Sequence, residues 1–381
     1  MYDVIIIGAG SMGVAAGYYL AAEGQKVLLL DAHNPPHDFG SHHGDTRLIR
    51  FAYGEGERYV PFALRAGTLW EELEQRVKRT IWKRTGVLNF APKGDEFLQN
   101  VRTSAAHFDI PIESLSAQQV NERWPGFSLS PDFEAIFEPT AGVLLTQPII
   151  ESYIELALAA GATLLPNRYV QKIEPSTHNV TVTTTNQETF TASKIIVTAG
   201  AWATKLLANT DLTLPMQPIR KCFAWYDGNE ELYNATHFPG FAYINGDLEG
   251  YYGFPSIDGS GVKIGRHDGG QPIDPDAPRI PFGTIEADIT DLHDYKTRFM
   301  PQVGALKDGK TCMYAMTPDE DFIIDRHPLY AHVFIAAGFS GHGFKFASAV
   351  GEALKELTLT GTTTIDLSPF SLARFQKIAR T

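Results

Sequence analysis

With 381 residues, 44% of them hydrophobic, the chain exceeds the usual size of one domain and can bury two cores that share an interface. Its formal net charge of −12, with no dense Lys/Arg run, disfavours nucleic acid or any other polyanionic partner. Cys222 and Cys312 lie far apart with no C-x-x-C, so neither a disulfide framework nor a thiolate zinc site is expected.

Val4 to Ile7 is a short, branched, wholly apolar run, as a strand buried on both faces of a parallel sheet requires. It ends in Gly8-Ala9-Gly10-Ser11-Met12-Gly13, after which small and apolar residues continue at helical spacing to about Ala22. Gly8 allows a tight turn, Gly10 lets backbone approach a pyrophosphate, and Gly13 lets the helix pack closely on its strand. The second strand, Lys26 to Leu30, closes on Asp31, 18 residues past Gly13, where a carboxylate can accept from a ribose 2′-OH and repel a 2′-phosphate. The unit predicts a dinucleotide site without choosing between NAD and FAD. Residues 4–22 are apolar enough to resemble a signal sequence or membrane span. No positive segment precedes them, glycines interrupt them and an acid follows the next strand, so a soluble, cytoplasmic protein is expected.

The following loop carries His33, His37, His42 and His43, but no second cluster of carboxylates or thiolates completes a tetrahedral shell, so no metal is expected. Read as a helical turn, Arg47 and Arg50 share a face and either converge on one anionic region or pair at the surface with Glu55 and Glu57. Phe62 to Val77 reads as a helix and Val87 to Phe90 as a strand. From there to about Pro139 strands and helices stop alternating, which marks a second domain. A helix at Gln147–Ala160, short strands, and Lys194–Val197 running into Thr198-Ala199-Gly200-Ala201-Trp202 return to the first pattern. From Met216 to about Pro301 short aromatic strands predict an antiparallel sheet. In the strand Val262–His267, period two puts Lys263 and His267 on one face, roughly 13 Å apart, either facing a site or merely wet. His332–Ala337 then leads into Gly338-Phe339-Ser340-Gly341-His342-Gly343-Phe344-Lys345 and a helix to about Leu357. Its N-terminus and Lys345 concentrate positive charge for a carboxylate or a reduced flavin.

The glycine unit with Asp31, the TAGAW and GFSGHGFKFA turns, SHHGDTRLIRFAYGEGERYVP, GYYGFP, VKIGRH and CMYAMTPDEDFIID together resemble the family of monomeric sarcosine oxidase and N-methyltryptophan oxidase along essentially the whole chain. The resemblance implies an α/β, DAO-type, Rossmann-like FAD-binding domain from segments 1–84, 142–214 and 304–381. A second, α+β substrate domain, built on the antiparallel sheet, would comprise 85–141 and 215–303. It implies FAD rather than NAD, attached through a thioether from Cys312 to its 8α position, while Cys222 is left as a buried apolar filler. Arg50 and Lys345 would clamp a substrate carboxylate. Arg47, His43, Thr46, Tyr252, His267 and Tyr314 match positions lining the flavin or substrate, and Lys263 matches the lysine beside the ring that serves oxygen. Ser11, Met12, Val170, Gly200, Trp202, Gly341 and Gly343 fall on cofactor-lining positions of the same pattern. The implied activity is oxidation of an N-methyl amino acid, N-methyl-L-tryptophan or sarcosine, by a monomer using O₂ and water. Ala242 leaves room for a bulky side chain. The competing readings are a flavin oxidase of another secondary amine, such as a cyclic imino acid or a glycated amino acid, and a flavin-binding regulator without turnover.

Overall fold

The structure, a computed structural model, describes residues 1–245 and 249–378. Its first sheet is organised around β1 (Tyr2–Ile7), which is followed by α1 (Ser11–Ala22) and β2 (Val27–Leu30). Val4–Ile7 pairs in parallel with Val27–Leu30 on one side and Lys194–Val197 on the other. Thr163–Leu165 extends the sheet beyond β2, and Val333–Ala337 extends it beyond Thr189–Val197, both in parallel. The two neighbours of β1 cover both its edges, and layers packed on either side of the sheet cover both its faces. Val4 and Ile6 contribute to the core beneath α1 and the helices Thr146–Ala159 and Ala347–Leu359, while Ile5 and Ile7 contribute to the core on the opposite side. This double burial is why the strand shows no polar alternation. The N-terminal half of Thr189–Val197 instead pairs antiparallel with Val180–Thr184, forming a hairpin that leaves the parallel stack.

The second sheet has nine strands among the described residues. Gln217–Tyr226, Val262–Arg266, Glu249–Phe254 and Gly240–Asn245 pair antiparallel in that order, as the aromatic alternation predicts. The next pair, Gly240–Tyr243 with Val87–Phe90, is parallel. Its outer face packs an aromatic cluster that includes Phe90, Phe133, Phe241, Tyr243, Tyr295 and Phe299. Two expectations are corrected here. Leu306–Met316 was expected in the cofactor-binding segment that starts at 304, yet it pairs along Gln217–Tyr226 in the second sheet. The helical turn expected to carry Arg47 and Arg50 is the strand Thr46–Ile49, paired antiparallel with Gly142–Leu145. Arg50 lies just beyond its end, so the two arginines come together through a change of chain direction rather than helical spacing.

The turn between β1 and α1 has no room for side chains. Gly8 has φ +96°, and a Cβ on Gly13 would stand 1.9 Å from the Gly8 carbonyl oxygen and 2.8 Å from Thr198 Oγ1. Both neighbours are fixed, because Thr198 Oγ1 donates to the Gly8 carbonyl at 2.7 Å and its amide donates to Ile7 at 2.8 Å. Gly13→Ala is therefore expected to destabilise the protein by about 3 kcal/mol or more, beyond ordinary overpacking, and to lower Tm by several degrees. A melting curve unchanged from wild type would show that the turn yields.

Candidate active site

A long cleft opens at the C-terminal end of β1. It is lined by the glycine turn, by Asp31 and the histidine loop, by Arg168–Val170, by Gly200 and Trp202, and by Gly341 and Gly343. Of the residues expected along a cofactor, Gly8, Gly10, Ser11, Met12, Asp31, Val170, Gly200, Trp202, Gly341 and Gly343 all border this cleft, whereas Gly13 is spent on packing. α1 presents its N-terminus here with no side-chain cap, so its first N–H groups are free for an anion. Asp31 is buried, and its Oδ2 accepts from the Ala9 amide at 2.7 Å while Oδ1 accepts from the His33 amide at 2.9 Å and contacts His37 Nε2 at 3.0 Å. Burial pushes its pKa up, but these hydrogen bonds outweigh that effect and hold it below the usual carboxylate value. Oδ2 takes one bond here and retains capacity for a hydroxyl. The histidine loop thus orders the acid, and no group of residues suited to hold a metal occurs among the described residues.

A second cavity adjoins the cleft, sharing Arg47, Tyr314, Gly341 and Phe344 with it. Arg50, Ala242, Tyr252, His267, Cys312 and Lys345 line this cavity. Two strands build much of its wall by period two: Ile219, Lys221 and Phe223 come from one, Cys312, Tyr314 and Met316 from its neighbour. Lys221 and Cys312 are direct cross-strand partners, so their side chains share a face. Tyr314 donates to Tyr252 at 3.4 Å, and the His267 ring stands 5.6 Å from the Tyr314 ring. Burial, then Lys221, lowers His267 to about 4, which leaves it neutral at pH 7. Burial raises the Cys312 thiol, with Arg47, Lys263, Arg279 and Lys221 opposing the rise. Cys222, expected to be buried, is only half-buried: it sits on the opposite face of its strand, near the Asp288 carbonyl.

Four cations, Arg47, Arg50, Lys221 and Lys345, line the cavity together with four acids, Glu55, Glu249, Asp268 and Glu320. Arg50 is 6% exposed and pairs with Glu55 through Nη2 at 2.5 Å, while its Nη1 and Glu55 Oε2 have no partner among the described residues. The pairing foreseen for a solvated arginine therefore exists, but as a buried pair with one donor unspent. Lys345 Nζ donates to Tyr53 Oη at 3.0 Å and to the His342 carbonyl at 2.7 Å. Burial, reinforced by Arg50, brings its pKa down to about 7, with Glu55 opposing. Arg47 bridges the carbonyls of Thr46, Ser41 and His43 at 2.6, 2.7 and 2.7 Å. Lys263 is 2% exposed, donates to the Gly44 carbonyl and to Thr46, and lies over the rings of Phe223, Trp225 and Phe254 at 4.5, 5.3 and 4.8 Å. Burial, then Arg47, lowers its pKa well below that of a free lysine, whereas its cluster of carbonyl and hydroxyl acceptors favours the ammonium. His43 is buried beside Phe223 with neither ring nitrogen partnered among the described residues. Sequence reasoning missed Tyr53, Lys221 and Glu138. For Lys221 the signal was available, since it alternates with Phe223 and Trp225 in one strand.

Residues 3–357 match the family model described as FAD dependent oxidoreductase. The chain is 48% identical over 376 residues to monomeric sarcosine oxidase of Bacillus sp. (strain NS-129), covering 98% of this chain and 97% of that protein. It is 43% identical over 375 residues to N-methyl-L-tryptophan oxidase of Yersinia pestis (strain Pestoides F), covering 98% and 100%. Among solved structures, NikD, an unusual amino acid oxidase essential for nikkomycin biosynthesis, superposes with a TM-score of 0.86 at 24% identity over 97% of each chain. Glycine oxidase from Geobacillus kaustophilus gives 0.81 at 22% identity over 98% of each chain, and at these identities the likeness is one of fold.

Because Lys345 loses its proton near pH 7, the cavity's affinity for a small carboxylate such as acetate is expected to fall by up to about tenfold per pH unit above 7. Acetate itself stays ionised throughout that range, so a calorimetric titration between pH 6 and 9 isolates the lysine. Lys345→Met should flatten the profile. An equally steep profile in the variant would assign the titration to another group.

Proposed function

The chain belongs to the FAD dependent oxidoreductases, in the family of monomeric sarcosine oxidase and N-methyl-L-tryptophan oxidase, and from that premise we propose that it is an FAD-dependent oxidase of N-methyl amino acids. The reaction uses O₂ and water, and gives the primary amino acid, formaldehyde and hydrogen peroxide. The observation that carries the reading is the buried Arg50, whose Nη1 has no partner among the described residues and which shares its cavity with Lys345 and Cys312. The site's residues fit FAD: the uncapped start of α1 and the side-chain-free turn suit its pyrophosphate, Asp31 suits its ribose, and the cleft opens into the cavity that holds Arg50 and Lys345. When bound, FAD supplies two-electron oxidation of the amine and passes the electrons to oxygen.

The chain's own residues do the rest. Arg50 and Lys345 hold the substrate carboxylate by charge-assisted hydrogen bonds and thereby fix which carbon lies against the cofactor. The same cations, with Arg47, disfavour an ammonium beside them, so the bound amine gives up its proton more readily than in water. Neutral His267 and the Tyr252–Tyr314 pair flank the cavity with hydrogen-bonding groups that add no further charge. Lys263 provides positive charge where oxygen is reduced, which counters the anionic character developing there. Cys312 is the residue we assign to covalent attachment at the flavin 8α position. Ala242 lies across the strand pair from Tyr252 and keeps that wall shallow, which supports a side chain larger than hydrogen on the substrate. We further propose that the working unit is the monomer.

Peroxide formation from sarcosine, N-methyl-L-alanine and N-methyl-L-tryptophan tests the reading, with turnover expected on at least one and extending to the larger side chains. Failure of all three to bleach the yellow enzyme under anaerobic conditions would refute it. Lys263→Met should slow reoxidation by oxygen by 10²-fold or more, on the scale of one removed charge-stabilising donor, while leaving reduction by amine nearly intact. Acid-precipitated wild type should stay yellow, and Cys312→Ser should release its colour to the supernatant.

A further inference from the structure

Glu138, the last residue of the strand Phe133–Glu138, is fully buried. Its two carboxylate oxygens accept from the backbone amides of Phe51 at 2.8 Å and Ala52 at 3.2 Å. Those are the two residues that follow Arg50, at the point where the chain leaves its strand and turns into the cavity. Downstream, Ser104 Oγ donates to the Tyr53 carbonyl at 2.8 Å and Asn100 Nδ2 to the Gly54 carbonyl at 3.2 Å. The segment from Arg50 to Glu55 is thus pinned at both ends, and the cavity-side end rests on one buried acid.

A buried carboxylate is a costly way to terminate two amides, since burial pushes the pKa of Glu138 up to about 7 even though the Phe51 and Ala52 amides pull it down. A backbone carbonyl would satisfy one amide at lower cost, but only a bidentate acceptor fixes two consecutive peptide planes together. We infer that Glu138 is a positioning residue for substrate recognition: by holding the Phe51 and Ala52 amides it aims the Arg50 guanidinium at the substrate carboxylate. The inference rests on the proposed role of Arg50. Its negative charge also lies close enough to favour the charged form of Arg50, in addition to the paired Glu55. Glu138→Gln keeps the shape but sets an NH₂ against a peptide N–H, so one plane is released.

The test is the ratio of acetate to acetamide affinity for the holoenzyme, measured by calorimetry at pH 8, where a carboxyl titrating near 7 is ionised. Wild type should prefer acetate, because only the carboxylate engages the guanidinium. Glu138→Gln should lower that preference about tenfold or more, the size of effect expected when a clamp is displaced by a fraction of an ångström to an ångström. Ile136→Val, one pleat away on the same strand and equally buried, should lower Tm while leaving the ratio unchanged. Should Glu138→Gln fail to fold, Thr140→Val, which removes a hydroxyl that stabilises the ionised acid, should lower the ratio several-fold. A ratio unchanged in the Glu138 or Thr140 variant, or lowered as much by Ile136→Val, would overturn the inference. Equal binding of acetate and acetamide by wild type would overturn the Arg50 reading itself.

Discussion

Three buried cations that line one cavity, and a fourth packed on its Phe223 and Phe254 wall, set the terms for this structure. Arg50, Lys221, Lys263 and Lys345 are each at most 6% exposed, and among the described residues Arg50 alone of the four forms an ion pair. The lysines are held by neutral oxygens instead: carbonyls of His267 and Gly269 for Lys221, of Gly44 for Lys263, and of His342 for Lys345. Carbonyl dipoles satisfy the N–H donors without cancelling the charge, so these lysines act as positive centres in a poorly solvated space, while the lining acids Glu55 and Asp268 are themselves paired with arginines. Such an arrangement costs desolvation energy that a protein with no anion to bind has no reason to bear. The depressed pKa values of Lys221 and Lys345, about 8 and about 7, express that cost directly.

The fold supplies the carbonyls through irregular backbone. Gly44, Thr46, His267, Gly269 and His342 lie at or just beyond strand and turn ends, where carbonyls are not consumed by a ladder. Lys263 makes its contacts with residues more than two hundred positions away, joining the second sheet to the histidine loop of the nucleotide side. One side chain therefore serves both as an electrostatic element and as a seam between the two halves of the site.

How much of this was visible in the residues depends on what each element buries. β1, α1 and β2 were legible because a strand hidden on both faces must be apolar throughout, and a turn that touches phosphate must be glycine. The strand Leu306–Met316 was not, because its first half, LKDGK, is largely solvent-exposed and carries no apolar alternation, so its pairing with Gln217–Tyr226 is decided by tertiary context. Arg47 and Arg50 were grouped correctly for an incorrect reason, since three-residue spacing suggests a helix where the chain is extended. Glu138 left the weakest trace: a lone acid in a mixed strand reads as solvent-facing unless its partners, here peptide groups far along the chain, are known.

The placement of Leu306–Met316 also bears on how the molecule is made. Both sheets are completed from the C-terminal quarter of the chain: this strand for the second, Val333–Ala337 for the first. A polypeptide still emerging from the ribosome at residue 300 has neither its thiol wall nor the last strand beneath its nucleotide cleft. Cofactor capture must therefore follow release of the nearly finished chain, and truncations that trim only the final quarter abolish the entire site rather than one lobe of it.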